Sequence, residues 1–534
     1  MLMAGFAPFQ VAVARASKSE LKDILMNGKI LRFSSGSVCT ILTFVLALAV
    51  LVTLNGAAQA QVKLEKLSTD TFTNSAMQHA TEVEPDTYSF GSMLVSTFQV
   101  GRRYANGGSS DIGFATSTDG GSSWKNGFLP GLTTFYKGGK FNAVSDASVV
   151  YDSHHGVWLI SSLGISDTNG NTILLVSSSA DGIHWNNPVT ANSKSAYADK
   201  DWITCDNTST SKFYGHCYIE WEDAGIGDQV MMTTSTDGGQ TWSSAFSVAN
   251  AIGLGGQPVV QTNGTVVVPF LGSGIQFYTS KDGGKTWGNV GTIANVNDHA
   301  VAGNLRAVYV LPSAQVGSDG TVYVVWWDCS YRKNCSSNDI VISSSTDGNT
   351  WSAMSRIPID ATSSTVDHFL PGIAVDQSTS GSSTHLGLTY YFYPVANCST
   401  STCKLGVGFV SSTDAGKTWT PAKKLAGGMN VLWLPNTTLG YMVGDYISTS
   451  YINGKAFGVF AKAVKPVNSK FNEAMVTPAM GLAEVEEGNG PYYSSAGEQP
   501  LPNAKSDHGP RQFYDTEGRI PIPPEKQNPP SAQR

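Results

Sequence analysis

The chain has 534 residues, 41% of them hydrophobic and 14% charged, with a formal net charge of −7. That apolar content suffices for a large core, which excludes a disordered chain. The acidic balance, without a basic stripe, excludes a nucleic-acid binder.

The N-terminus reads as an export signal. Lys29 and Arg32 precede a 17-residue apolar run, Val38 to Leu54, and Ala58-Gln59-Ala60 follows it. This is the charged, apolar and small-residue order of a signal peptide, and cleavage is expected after Ala60. Residues 1–60 are therefore assigned to the signal, with Met26 as a more ordinary start. An uncleaved anchor is the alternative, because the run is nearly long enough to span a bilayer. The first 60 residues carry five Lys+Arg and two Asp+Glu, so their removal moves the charge to about −10. Residues 61–80 follow as an N-terminal segment, in which Val62 to Leu67 can supply a closing strand.

From residue 81 to 482 the chain repeats. Each unit has two short β-rich runs, then a third that ends in Ser-x-Asp-Gly-(Gly)-x-x-Trp. The motif runs Ser117 to Trp124, Ser179 to Trp185, Ser235 to Trp242, Ser280 to Trp287, Ser345 to Trp351 and Ser412 to Trp419. Its aspartates are Asp119, Asp181, Asp237, Asp282, Asp347 and Asp414, spaced by 62, 56, 45, 65 and 67 residues. Such a period marks an array of similar structural units. Asp-Gly-Gly after a strand is a tight-turn signal, with the carboxylate accepting backbone N–H bonds and glycine supplying φ > 0. The Trp is expected to plug between strands. These aspartates are committed to holding turns and are not catalytic candidates. A seventh unit without the motif follows at Asp445 to Ser450, Ala456 to Phe460 and Glu473 to Thr477.

Six cysteines remain after the signal, in three local pairs: Cys205 with Cys217, Cys329 with Cys335, and Cys398 with Cys403. An even count in an exported chain predicts these nearest-neighbour disulfides. The zinc alternative lacks a Cys-x-x-Cys and a histidine at ligand spacing. Residues 483–534 are rich in Pro, Gly, Glu and Ser and are expected to be disordered.

The six motifs resemble the Asp box, or bacterial neuraminidase repeat, of the sialidase superfamily. The resemblance covers roughly residues 80 to 480. It implies an all-β propeller of four-stranded antiparallel blades, with the boxes in the turns between third and fourth strands. Seven blades are favoured, and six is the alternative. In that fold, ligands sit at the central axis, on the face opposite the boxes. Loops of that face supply the candidates for a site.

The family clamps a substrate carboxylate with three arginines and uses a Tyr nucleophile, a Glu partner and an Asp acid. Carried over by position, Tyr446 with Glu220 (or Glu222) forms the nucleophile pair, and Asp201 or Asp146 is the acid. Arg102 or Arg103, Arg306 and Arg332 form the clamp. Trp221, Trp327, Asp328, His368 and Asp445 complete the sugar-binding set. Two departures stand against a true sialidase. Arg356-Ile357-Pro358 follows the fifth box without a preceding aromatic, and no Arg lies between residues 431 and 481. The resemblance thus points to a secreted or periplasmic glycoside hydrolase, exo-α-sialidase-like at best. The alternative is a non-catalytic propeller that binds glycan or protein at the cell surface. The expected partner is a carbohydrate or glycoconjugate. No cofactor, metal, nucleic acid or stable membrane insertion after cleavage is expected, and the protein is expected to be a monomer.

Overall fold

The computed structural model describes residues 62–167, 171–195, 197–483 and 493–502, all within one compact unit. The signal, Met26, the Ala60 cleavage point and residues 503–534 lie outside the described residues. Apart from short 3-10 turns, the regular structure described is strand, and no described helix is long and apolar enough to cross a membrane.

The first described strand is β1 (Leu64–Lys66). Sheet one holds β2 (Glu82–Phe90), β3 (Met93–Arg102), β4 (Ser109–Ser117) and β5 (Lys125–Phe128). Sheet two holds β6 (Ala143–Asp152), β7 (Val157–Ile165), β8 (Thr172–Ser179) and β9 (Val189–Asn192). Sheet three holds β10 (Ala198–Cys205), β11 (Cys217–Asp223), β12 (Gln229–Ser235) and β13 (Phe246–Ile252). Sheet four holds β14 (Val259–Val260), β15 (Val266–Leu271), β16 (Ile275–Ser280) and β17 (Gly291–Ala294). Sheet five holds β18 (Ser313–Val316), β19 (Val322–Asp328), β20 (Asp339–Ser345) and β21 (Ser355–Arg356). Sheet six holds β22 (Asp367–Val375), β23 (Leu386–Tyr393), β24 (Lys404–Ser412) and β25 (Lys423–Asn430). A hairpin of β26 (Asn436–Thr437) and β27 (Gly440–Tyr441) precedes the last sheet.

Sheets one to six are antiparallel meanders in chain order, and one pair, Ser109 with Val144, links the first two. The last sheet differs. It holds β28 (Ser448–Ile452), β29 (Lys455–Ala463) and β30 (Glu473–Pro478), with β31 (Leu482–Ala483) beside β29. Its outer position is filled from the other end of the chain, because β1 pairs antiparallel with β30, Leu64 opposite Pro478.

The first strands of the sheets pack on one another in a closed circuit. β2 meets β6, β6 meets β10, and the sequence continues through β14, β18, β22 and β28 back to β2. Apolar side chains fill the space between consecutive sheets. Phe114 and Trp158 lie between sheets one and two, Leu163 and Ile219 between two and three, and Val230 and Phe270 between three and four.

The repeated motif closes the turn between third and fourth strands in the same way each time. Asp119 accepts from Ser117 Oγ at 2.8 Å, from Ser123 N at 2.9 Å and from Ser123 Oγ at 2.6 Å. Asp237, Asp282 and Asp414 repeat this with Thr241, Thr286 and Thr418. In the two shorter copies Asp181 accepts from Ile183 N and His184 N, and Asp347 from Asn349 N and Thr350 N. These bonds, led by Ser123, hold the Asp119 carboxyl at about 2. Gly121 adopts φ 85°, and a Cβ there would stand 2.3 Å from the Phe457 ring of sheet seven. Ala415 takes one of these left-handed positions, at φ 62°.

All three expected disulfides are present, Cys205–Cys217, Cys329–Cys335 and Cys398–Cys403. Within the tail, residues 493–502 lie against sheets five and six. Tyr493 and Trp419 exchange two backbone bonds of 2.9 Å. Arg356 holds Glu498 through Nε at 2.7 Å and Nη2 at 3.0 Å, and Leu501 N donates to Ser330 O at 2.7 Å. A composition rich in Pro and Gly hid these specific anchors.

Candidate functional site

Four first strands carry the same irregularity. β2, β6, β10 and β22 each slip register by a bulge, between Val83 and Asp86, Ser145 and Ser148, Asp199 and Trp202, and Phe369 and Gly372. In each, the residue after the break has positive φ: Glu84 55°, Asp146 50°, Lys200 55° and Leu370 49°. None is glycine, so each costs about 1–3 kcal/mol of strain, which surrounding contacts must hold.

Three of these bulges meet at one ion cluster. Lys200 Nζ lies 3.3 Å from Glu84 Oε1, 3.2 Å from Asp146 Oδ1 and 2.6 Å from Asp445 Oδ2. Arg306 grips the same Asp445 with two bonds, 3.0 Å and 2.6 Å. On the other side, Gln99 Nε2 donates to Glu84 and Arg102 Nη1 donates to Gln99 Oε1. The result is a buried chain, Arg102–Gln99–Glu84–Lys200–Asp445–Arg306. Lys200 is only 2% exposed and Glu84 not at all. Burial alone would pull the Lys200 ammonium down, but Asp146, Asp445 and Glu84 outweigh it and hold it well above its ordinary value. Gly444 makes the approach possible: at φ 134° it lies against the backbone of Glu84, and a Cβ would come within 2.8 Å of Glu84 N.

Beside this cluster is a small cleft, lined by Lys200, Trp202, Gly255, Gly256, Gln257, Leu311, Pro312 and Tyr446. Trp202 stands edge-on to Tyr446, with ring centroids 5.2 Å apart. The Tyr446 hydroxyl is buried without a hydrogen-bond partner. Burial raises its pKa well above the usual phenol value, and Glu84 is the first of the carboxylates that add to this. Glu220 lies behind Gly256, where a Cβ would approach its carboxyl carbon to 2.5 Å. Both oxygens of Glu220 and both of Asp201 are buried without hydrogen-bond partners. Burial pushes these carboxyls and Glu222 well up, towards the protonated form.

The structure thus brings together Asp146, Asp201, Glu220, Arg306, Asp445 and Tyr446, with Arg102 joined through Gln99. It disperses the rest. Arg103 is bound to Asp167 at 2.8 Å and to the Gly107 and Asn106 carbonyls. Arg332, expected in a clamp with Arg306, is held instead by Asp339, Asp360 and two carbonyls. His368 joins that second cluster, 3.8 Å from Asp360, and burial keeps it below its ordinary value. Asp328 fastens a loop by accepting from Asn297 N and Ser330 N. Trp221 and Trp327 are core side chains, 0% and 1% exposed, and Trp221 donates to Ser195 Oγ. A residue's place in the repeat tells which end of a strand it occupies, but not its distance from the centre. Gln99 was missed because it lies within β3, between the core residues Phe98 and Val100.

Two groups of described residues bring three ligand-type atoms within 4.8 Å. In one, Asp152 faces Cys205 and Cys217, which are bridged. In the other, Asp339, Asp360 and His368, the positive charge comes from Arg332 and Arg356.

Residues 213–372 match the model of the BNR repeat-like domain. No curated protein matches the chain. Among solved structures, the NanB sialidase from Streptococcus pneumoniae is 16% identical, covering 78% of this chain and 69% of that one at a TM-score of 0.37. A protein of unknown function from Dyadobacter fermentans is 15% identical, covering 66% and 99% at 0.42. A polysaccharide lyase, an ulvan lyase, is 10% identical, covering 83% and 100% at 0.47. Likenesses this distant carry no information on activity. The matched stretch holds the third to fifth of the six repeated turns, from Ser235 to Trp351, and is similar to a BNR repeat-like domain.

Proposed function

We propose that the protein is a secreted glycoside hydrolase of sialidase-like build that acts on a sugar held in the cleft beside Tyr446. We read the seven sheets as the blades of one propeller, with β1 completing the last blade and the six motif turns as its Asp boxes. The three disulfides fit an oxidising compartment, in keeping with export.

One observation carries the reading. The unpartnered Tyr446 hydroxyl lies at the cleft, with the buried carboxyl of Glu220 behind its Gly256 wall and that of Asp201 acting electrostatically on Tyr446. Buried polar groups normally have partners, and the exceptions gather at functional sites. Tyr446 is the candidate nucleophile, as sialidases use a tyrosine. Its proton would pass to one of the carboxylates whose charges bear on it, Glu84 and Asp146 among them. Asp201, whose carboxyl burial pushes towards the protonated form, is the candidate acid for the leaving oxygen.

The test is hydrolysis of a panel of fluorogenic glycosides by the chain from residue 61, with Tyr446→Phe alongside. Turnover that Tyr446→Phe abolishes supports a hydrolase. A folded protein that turns over none of them refutes it. A second reading, a non-catalytic sugar-binding propeller, is favoured by the engagement of Arg306 with a carboxylate of its own chain. It predicts sugar binding that survives Tyr446→Phe without any turnover.

A further inference from the structure

We propose that the seam closing the last sheet is a pH-released clasp: residues 62–69 stay docked on β30 while Glu82 and Glu473 are uncharged, and undock when the two ionise.

The clasp is built on two carboxyls from distant parts of the chain. Glu82 opens β2 and Glu473 opens β30, and a bridge between Thr81 and Glu473 brings the two strands together. Both side chains belong to residues only 1% exposed. Glu82 Oε2 and both oxygens of Glu473 are buried without hydrogen-bond partners. A carboxylate there is stripped of water with nothing in its place, a far larger cost than for a neutral carboxyl.

Little in the described surroundings offsets such a charge. Opposite Glu82 in β3 stands Val100, and opposite Glu473 in β29 stands Ala463. From β23, Tyr391 feels the charge of Glu473, but its hydroxyl is engaged with Ala461. Asp70 faces Glu82 and repels its charge. It is fixed in place by Phe72 N and Ala80 N, each at 2.8 Å, and by His79 Nδ1 at 3.0 Å. Lys66 is the cation facing Glu82, and it is exposed, so its attraction is screened. Burial, then Asp70, raises the Glu82 carboxyl to about 8, and burial with Glu82 beside it pushes Glu473 well up.

The cover over this pair is thin. β1 contributes three residues, paired with Val476, Thr477 and Pro478. Beyond it, Leu67 N donates to Met475 O at 2.8 Å and Met475 N donates to Ser68 Oγ at 2.9 Å. Of residues 62–69, Leu67 and Ser68 are the buried ones. The chain just after is held separately, by Gln78 N on Arg102 O at 2.9 Å and Gln78 Nε2 on Asn436 O at 2.8 Å. A short segment with few buried contacts opens at a lower free energy than a whole sheet. Its departure lets water reach both carboxylates, so the strain of ionisation is relieved at the seam and not by unfolding the core. It also bares the outer edge of β30, a row of backbone groups to which another strand can add.

The direction follows from the proton balance. The docked state holds the Glu82 proton more tightly than the undocked state, so docking is fully favoured below pH 4.5 and weakens as the pH rises to about 8. Each proton given up on undocking enlarges the opening equilibrium about tenfold per pH unit.

The experiment is hydrogen–deuterium exchange, read by mass spectrometry, on the chain from residue 61 between pH 5 and 8. Rates are divided by those of the unfolded chain at the same pH, which removes the intrinsic rise of exchange with pH. The expected result is that protection of residues 62–69 falls about tenfold or more per pH unit, while that of β7 and β19 falls less. Glu82→Gln and Glu473→Gln should each reduce this slope, and the double variant should keep the segment protected at pH 8. The parent protein's own profile remains decisive where a variant fails to fold. Protection of residues 62–69 that does not change across this range would overturn the proposal. So would a fall shared equally by β7 and β19, or one that persists in the folded double variant. A slope that vanishes in His79→Gln would assign the switch to the His79–Asp70 pair and overturn it too.

Discussion

Replacing Glu82 by Gln should flatten the pH dependence of stability. Glu82 opens β2 and is 1% exposed. Facing it are Lys66, Ser68 and Asp70 from the N-terminal segment and Glu473 from β30, whose two oxygens have no hydrogen-bond partners. Burial, with Asp70 adding to it, pushes the Glu82 carboxyl from 4.5 up to about 8. The folded chain therefore keeps a proton that the unfolded chain gives up. The stability this group contributes is complete below pH 4.5 and is lost as the pH rises to about 8. A displacement of that size corresponds to about 5 kcal/mol across the window, since each tenfold change in proton affinity is about 1.4 kcal/mol. Glutamine keeps a neutral polar side chain of similar shape and cannot ionise. The assay is urea unfolding of both proteins between pH 4 and 8. The expected outcome is near-equal stability at pH 4, with the Glu82→Gln variant more stable by a few kcal/mol at pH 8. Parallel profiles would refute the argument, because they would mean Glu82 titrates alike in both states.

Arg356→Ala removes the two bonds to Glu498 and should free the segment 493–502, which limited proteolysis would detect as cleavage there with the core left intact. Gly121→Ala places a methyl 2.3 Å from Phe457 at φ 85° and should destabilise by about 2–4 kcal/mol in a denaturant titration. Replacing both Cys205 and Cys217 by Ser should cost about 2–5 kcal/mol, read as a lower melting temperature with a smaller further drop on adding reductant than in the parent protein.

The repeat, the strand runs, the three disulfides and the structural role of the motif aspartates were all legible from local pattern. Each depends on residues close in sequence, as Ser117, Asp119 and Ser123 do. The site was legible only in part. Asp146 and Asp201 were found because they lie at first strands, and those strands ring the centre. The bulges that turn Glu84, Asp146 and Lys200 inward are not written in any glycine, so their strain could not be foreseen. Arg332 and His368 occupy equivalent places in their own unit, yet Asp339 and Asp360 hold them in a separate cluster. Trp221 and Trp327 are ordinary core residues, whereas Trp202, one strand position beyond Asp201, lines the cleft.

The pairing of β1 with β30 has a consequence for how the molecule is made. Six sheets are meanders whose strands are neighbours in sequence, so each can assemble soon after it is synthesised. The seventh joins Leu64 to Pro478, the first described strand to nearly the last. That contact has to wait for the whole chain, and such long-range closure slows folding. The last sheet can therefore close only after the other six sheets have been synthesised.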